Sequence, residues 1–451
     1  MNNLKNIQNF YFVGIGGIGM SALARYFNLQ GKRVFGYDKT PSEITKALQS
    51  EGIEIIFEDE VSNLPETINN KENTLVVSTP AIPKKNAILS WLKSEDYTIL
   101  KRAELLGEIS KDSLCLAVAG THGKTTTTAI LAHLLAECNM PMTAFLGGIS
   151  ENYQSNLIYK GNEIMVVEAD EFDRSFLQLS PDIACVTSMD ADHLDVYKDA
   201  SELENTFVKF SELLPKQENL LFKKGLPLKG KTVSATESAD FEARNVKIEE
   251  GSYVFDLKTP SEEIKDLRFH LPGRHNMFNA VTALGMAILA GSPTDCLPKA
   301  IQNFKGVKRR FSYKIKTDKL VLIDDYAHHP TEIDALYQAV TEMYPEKKKL
   351  IVFQPHLFSR TKDFVLSFAK SLSQFDEIIL LDIYPAREEP IVGITSRWLL
   401  DKIKNTNKKL VSKQELAEQI KTSDCMVKII AGAGDIGVEV DKVTKILSDE
   451  D

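Results

Sequence analysis

At 451 residues the chain is longer than one hydrophobic core ordinarily serves, so two or three domains are expected. Hydrophobic residues at 43% and charged residues at 26% are the proportions of a soluble globular enzyme, and no apolar run approaches the length of a membrane span. The net charge of −9 argues against a nucleic-acid partner, which needs a basic face, yet leaves local positive loops able to take a small anionic substrate.

Residues 1–112 alternate apolar runs with helical stretches. "FYFVG", "RVFGYD", "IEIIF", "NTLVVST" and "YTIL" read as strands with helices between them, the pattern of a doubly wound, Rossmann-like sheet. Gly14, Gly16 and Gly19 form G-x-G-x-x-G between the first strand and a helix, and Asp38 follows at the distance suited to gripping a ribose. Glycines at this spacing let a pyrophosphate approach a helix N-terminus. A dinucleotide-dependent dehydrogenase is therefore one reading of this segment.

A second beginning stands at "LCLAVAGTHGKTTTTAILAHLLAE": strand, glycine-rich turn, long helix. Gly120, Thr121, His122, Gly123, Lys124, Thr125 and Thr126 supply a phosphate cradle, in which backbone N–H groups face the anion and Lys124 neutralises a terminal phosphate. The Thr125 hydroxyl can then ligate Mg²⁺. The spacing is not Walker A, which needs glycine at position 118, where Val118 stands. Two further strands end in acidic loops: "IMVVEAD" at Glu168, and "IACVTSMD" before His193. Both residues are candidate Mg²⁺ ligands, directly or through water.

From about Leu220 to His270 the pattern shortens into polar, alternating pieces, expected to form a small antiparallel sheet. The helix of "GRHNMFNAVTALGMAILAG" closes this unit. After "GVKRRF" a third run of strands and helices begins with "KLVLIDDY" and ends at "MVKIIAGAGD", again Rossmann-like. The expected fold is α/β with three domains, 1–112, 113–307 and 308–451, the central one a P-loop-type ATPase domain. "AGAGDIG" lacks a basic residue and reads as a tight turn. The cysteines Cys115, Cys138, Cys185, Cys296 and Cys425, odd in number and without a C-x-x-C pair, read as reduced thiols. "MNNLKNIQNF" does not read as a signal peptide, so a cytoplasmic location is expected.

Taken together, "GTHGKTT", "EADEFDRSF", "DADHLD", "GRHNMFNA", "VKRRF" and "DDYAHHPTE" occur in the order seen in the Mur ligases, and the chain resembles that family over all three segments. "GIGGIGMSALA", the histidine of "GTHGKTT", the double histidine of "DDYAHHP" and "FQPHLFSRTKDF" are most similar to the members that add L-alanine to UDP-N-acetylmuramate with ATP. The resemblance implies that Lys124 meets the β- and γ-phosphates, that Thr125 and Glu168 hold one Mg²⁺, and that His193 holds a second. It places Asn276 and Asn279 on the adenine side, with helix capping the plain alternative for Asn276. It sends Arg310 to the γ-phosphate and Asp325 to the nucleotide. Tyr326, His328, His356 and Arg360 fall to the amino acid, Arg360 gripping its carboxylate in a fork. Gly16, Gly17 and Ser78, with Asp38, fall to the UDP portion.

Some members carry a carbamylated lysine; Lys209 lies near that position but reads as a helix-surface residue. A monomer or weak homodimer is implied, with no membrane partner. The rivals are a ligase that recycles a whole murein tripeptide, a folylpolyglutamate synthase, and the dehydrogenase.

Overall fold

Three stretches of alternating strand and helix produce three sheets in the computed structural model, which describes residues 2–190, 197, 199–249, 251–386 and 388–448. The chain separates into two compact units, residues 1–247, 254–269 and 278–305 in one, and 248–253, 270–277 and 306–451 in the other. Among the described residues no helix is long and apolar enough to cross a membrane.

The first sheet is fully parallel, in the spatial order Glu54–Ile56, Arg33–Tyr37, Asn9–Val13, Thr74–Ser78, Ile99–Lys101. Every residue of Asn9–Val13 is buried, as a strand covered on both faces requires. The helix Ile18–Leu29 covers one face with Met20, Ala22, Leu23 and Phe27, and the Phe27 ring stacks on Phe10 with centroids 3.8 Å apart. Burying each such ring contributes about 1.5–3 kcal/mol. Strand order reverses between Asn9–Val13 and Thr74–Ser78, and a crevice for a ligand opens at such a switch point.

The second sheet has ten strands. Leu114–Ala119 lies between Ile183–Val186 and Ile164–Glu168, parallel to both, so all three strands deliver their carboxyl ends to one edge. The register pairs Val118 with Glu168 and Ala119 with Val186. Beyond Ile164–Glu168 come Met142–Ser150 and the antiparallel Ser155–Tyr159. The residues expected to make a small antiparallel sheet do not stand apart. Leu220–Lys223, Lys231–Ser234 and Phe241–Glu249 join the same sheet in parallel, followed by Ser252–Lys258 and Glu263–Phe269. Polar alternation in these strands records one exposed face, which any sheet can have.

The third sheet runs Ser312–Lys316, Val321–Asp325, Val427–Ala431, Lys349–Phe353, Glu377–Leu380, Lys408–Leu410. Its first pair is antiparallel and the rest parallel. The loops after Asp325 and Phe353 leave from its carboxyl edge.

One sequence expectation is overturned. Cys138, at the end of the helix Lys124–Glu137, forms a disulfide with Cys296, while Cys115, Cys185 and Cys425 are free and buried. The partners are 158 positions apart, so spacing carried no sign of the pairing.

Candidate active site

In the second glycine loop, Gly120 and Gly123 take φ of +130° and +85°, backbone that favours glycine. Space matters as much as angle. A Cβ on Gly120 would lie 2.1 Å from Thr187 Oγ1, and one on Gly123 would lie 2.6 Å from Asn279 Oδ1. The loop is thus moulded against the end of Ile183–Val186 on one side and against Asn279, on the helix Arg274–Leu289, on the other. The Thr121 hydroxyl donates to the Asp190 carbonyl at 2.9 Å and the His122 N–H to Ser188 Oγ at 2.8 Å. Thr126 is buried in the first turn of the helix that follows.

Lys124 opens that helix. Its ammonium lies 2.7 and 2.9 Å from the two oxygens of Glu171 and donates to the Gly120 carbonyl at 2.7 Å. Glu171 is 1% exposed. Burial works to lower the Lys124 pKa, but the carboxylates of Glu171, Asp170 and Glu168 outweigh it and hold the lysine above its ordinary value. Beside it, Thr125 Oγ1 donates to Glu168 Oε1 at 3.0 Å. Glu168 ends its strand opposite Val118, two residues before the loop begins at Gly120. His193 lies outside the described residues.

At the first glycine loop, Gly14 takes φ of +88° and Gly17 caps the helix Ile18–Leu29. Ser78 pairs in register with Val13, so it stands beside the start of the loop. The Asp38 carboxylate accepts from the Gly16 N–H at 2.8 Å and from the Thr40 N–H at 3.2 Å. Its place at the loop matches the spacing; its hydrogen bonds are to loop backbone. Gly19 packs under Arg102, a residue that sequence reasoning missed.

In the other unit, Tyr326, His328, His356 and Arg360 come together as a chain of contacts. The Tyr326 and His328 rings meet edge-on at 5.3 Å, His328 and His356 at 6.0 Å, and Arg360 Nη1 lies 3.3 Å from His356 Nδ1. Tyr384, also missed, stacks on His356 at 5.7 Å. Arg360 is 8% exposed, so it is not a surface arginine. Leu357, between His356 and the helix Phe358–Asp363, holds φ of +70°, a strained backbone of the kind stored at functional sites.

Arg310 lies over the Tyr326 ring at 4.9 Å, flanked by Arg309 and Phe311 at φ of +61° and +52°. Asp325 accepts from the Phe311 and Ala327 N–H groups, each at 2.7 Å. Burial pushes its carboxyl up to about 6, against the pull of Arg310 and these two N–H groups. Asn276 donates to the Pro272 carbonyl at 2.7 Å and so braces its own helix start. The "AGAGD" turn gives the carbonyls of Gly432 and Gly434 to Arg309. Lys209 is an exposed residue of the helix Ala200–Ser211.

Comparison with known proteins gives three consecutive matches. The family models described as Mur ligase family, catalytic domain, as Mur ligase middle domain and as Mur ligase, glutamate ligase domain match residues 9–113, 118–287 and 309–436. A protein of Christiangramia forsetii named UDP-N-acetylmuramate--L-alanine ligase is 61% identical over 451 residues, covering 100% of each chain. Its namesake in Flavobacterium psychrophilum is 59% identical, over 99% of this chain and 100% of its own. Among solved structures, the UDP-N-acetylmuramate-alanine ligase of Thermotoga maritima superposes with a TM-score of 0.84 at 28% identity, over 98% of this chain and 100% of that one. A murein peptide ligase of Psychrobacter arcticus shares the fold at a TM-score of 0.70 and 19% identity, over 98% and 99%. With phosphate loop, acidic strand end and C-terminal arginine–histidine cluster set out in the matched order, the chain belongs to the Mur ligase family.

Proposed function

We propose that this chain joins the carboxylate of UDP-N-acetylmuramate to the amine of L-alanine with hydrolysis of ATP, a step of peptidoglycan biosynthesis carried out in the cytoplasm by a monomer or weak homodimer. The observation that carries the reading is that Lys124 and Thr125, neighbours at the end of the glycine loop, pair with Glu171 and Glu168 where adjacent parallel strands deliver their carboxyl ends. It is a place built for a nucleoside triphosphate. Segments 1–112, 113–307 and 308–451 divide the work among sugar nucleotide, ATP and amino acid.

A carboxylate is a poor acyl donor, because its leaving group would be oxide. Transfer of the γ-phosphoryl group to a carboxylate oxygen releases ADP and leaves an acyl phosphate. The amine of alanine then attacks the acyl carbon, the tetrahedral intermediate collapses, and inorganic phosphate departs with the electron pair of the C–O bond. Positioning and charge neutralisation dominate such a reaction. Lys124 serves the β- and γ-phosphates, with Gly120, Thr121, His122, Gly123 and Thr126 lining the cradle. Asn279, against the loop, and Asn276 serve the adenine side; from the C-terminal segment Arg310 serves the γ-phosphate and Asp325 the nucleotide.

Thr125 and Glu168 offer hard oxygen donors 3.0 Å apart, a donor set that fits Mg²⁺. When bound, the ion supplies neutralisation of phosphate charge; His193 is the residue assigned to a second ion. Gly16, Gly17, Ser78 and Asp38 serve the UDP portion. Arg360 grips the alanine carboxylate, and Tyr326, His328 and His356 wall a pocket suited to a small side chain.

The test is a phosphate-release assay with ATP, Mg²⁺ and UDP-N-acetylmuramate, offering L-alanine or a murein tripeptide in parallel. Release with alanine, together with a product heavier by one alanyl residue, is expected. Release with the tripeptide alone overturns the reading in favour of the recycling ligase.

A further inference from the structure

Asp170 and Glu171 are neighbours in sequence, and each pairs with a cation beside a different glycine loop. Glu171 holds Lys124 of the second loop. Asp170 Oδ2 lies 3.3 Å from Arg102 Nη2. Arg102 in turn lies over the first loop, where a Cβ on Gly19 would stand 2.7 Å from its Nη1 and 3.0 Å from its Cδ. The third glycine of the fingerprint leaves the space that this guanidinium occupies.

The placement follows from the sheet. Arg102 opens the helix Arg102–Ser110 directly after Ile99–Lys101, which pairs in parallel with Thr74–Ser78. It thus leaves the same carboxyl edge that carries Gly14–Gly17 and Ser78. The neighbouring Lys101 pairs with Asp173 at 3.5 Å.

Two features say that Arg102 awaits an anion. Its side chain is 25% exposed, yet among the described residues a single contact of 3.3 Å, to a carboxylate itself 38% exposed, engages its five N–H donors. One long bond is poor compensation for removing most of a guanidinium from water. The first loop also has no cation of its own. "GIGGIGM" lacks the lysine that the second loop carries, and the nearest downstream, Arg25, is committed to Glu51 and Asn156. Moreover Asp38 brings a carboxylate to the Gly16 N–H, so a diphosphate entering this loop meets negative charge that must be offset.

We propose that Arg102 is the cation of the sugar-nucleotide site, taking an oxyanion of the diphosphate while Asp170 orients its fork, as Glu171 orients Lys124. The assignment rests on the reading that the first loop binds a uridine diphosphate sugar.

Calorimetric titration of UDP, UDP-N-acetylmuramate and a non-hydrolysable ATP analogue into wild type and Arg102→Met tests it. Methionine keeps bulk over Gly19 and removes the charge. UDP and UDP-N-acetylmuramate should each bind about ten- to a hundredfold more weakly, the range expected for one charge-assisted hydrogen bond, with ATP-analogue affinity within about twofold. Arg102→Gln, which retains a donor for Asp170, should show the same loss and decides the matter if the methionine variant does not fold. Unchanged UDP affinity in a variant that still binds the ATP analogue overturns the proposal. So does a loss confined to UDP-N-acetylmuramate, which moves the contact to the sugar's carboxylate. Wild type that binds neither uridine ligand overturns the reading of the loop itself.

Discussion

Gly147 exists for Glu168: its N–H donates to Glu168 Oε2 at 3.0 Å, and a Cβ at that position would fall 2.1 Å from the same oxygen. The other carboxylate oxygen accepts from the Thr125 hydroxyl at 3.0 Å. Gly147→Ala should push Glu168 away from the Thr125 hydroxyl without disturbing the core, since Gly147 is exposed on the strand Met142–Ser150. The Mg²⁺ concentration giving half-maximal ligation should rise by about tenfold, the usual scale for loss of a residue that orients a ligand. The melting temperature should stay within about 2 °C. An unchanged Mg²⁺ requirement removes Glu168 from the metal.

The Lys124–Glu171 pair makes a second, opposite prediction about ligand effects. Removing one partner of a buried pair leaves the other charge poorly compensated. Glu171→Gln should therefore lower the melting temperature of the ligand-free chain. Phosphate oxygens can replace the lost carboxylate, so an ATP analogue should raise the melting temperature of the variant by more than it raises that of wild type. A smaller rise in the variant makes Glu171 part of the nucleotide site and not a stand-in for the phosphates.

What the sequence disclosed and what it hid divide along chain distance. Both glycine loops were legible because strand, turn and helix are contiguous; spacing sent Asp38 to a ribose, while its carboxylate accepts from the Gly16 N–H. Glu168 and Thr125 were paired by chemistry, and the pairing holds in space. Arg102 and Gly147 were not legible, because their importance lies in what a missing Cβ makes room for, 83 and 21 positions away. The Cys138–Cys296 bond was hidden for the same reason. Asp325 shows a subtler limit. Motif order nominated it for the nucleotide, while its two hydrogen bonds to Phe311 and Ala327 tie "KRRF" to "DDYAHHP".

Arg360 allows charge and geometry to be separated. It is buried on the helix Phe358–Asp363, beside His356. Arg360→Lys keeps the charge but loses the planar fork, and the KM for alanine should rise about tenfold with kcat little changed. Arg360→Ala should raise it about a hundredfold. Steady-state kinetics with alanine varied at saturating ATP and sugar nucleotide measures both. If the alanine KM is the same in all three proteins, the carboxylate is held elsewhere.

His328 predicts a pH dependence of stability. Burial lowers its pKa; Glu332, with an oxygen 3.2 Å from Nδ1, and the Tyr326 carbonyl oppose this, while Arg360 and Arg310 add to it. The folded value therefore lies below the unfolded one, about 6.5. Below pH 6.5 the unfolded chain takes up the proton more readily, so this group's contribution to stability is full above that value and is lost as pH falls toward the folded one. His328→Gln has no proton to resist. The melting temperature of wild type minus that of the variant should accordingly be larger at pH 7.5 than at pH 5.5, measured in one buffer series at constant ionic strength. Titratable groups out of contact with position 328 cancel in the difference. A difference that grows on acidification means that folding raises the pKa of His328, with Glu332 and not burial in control.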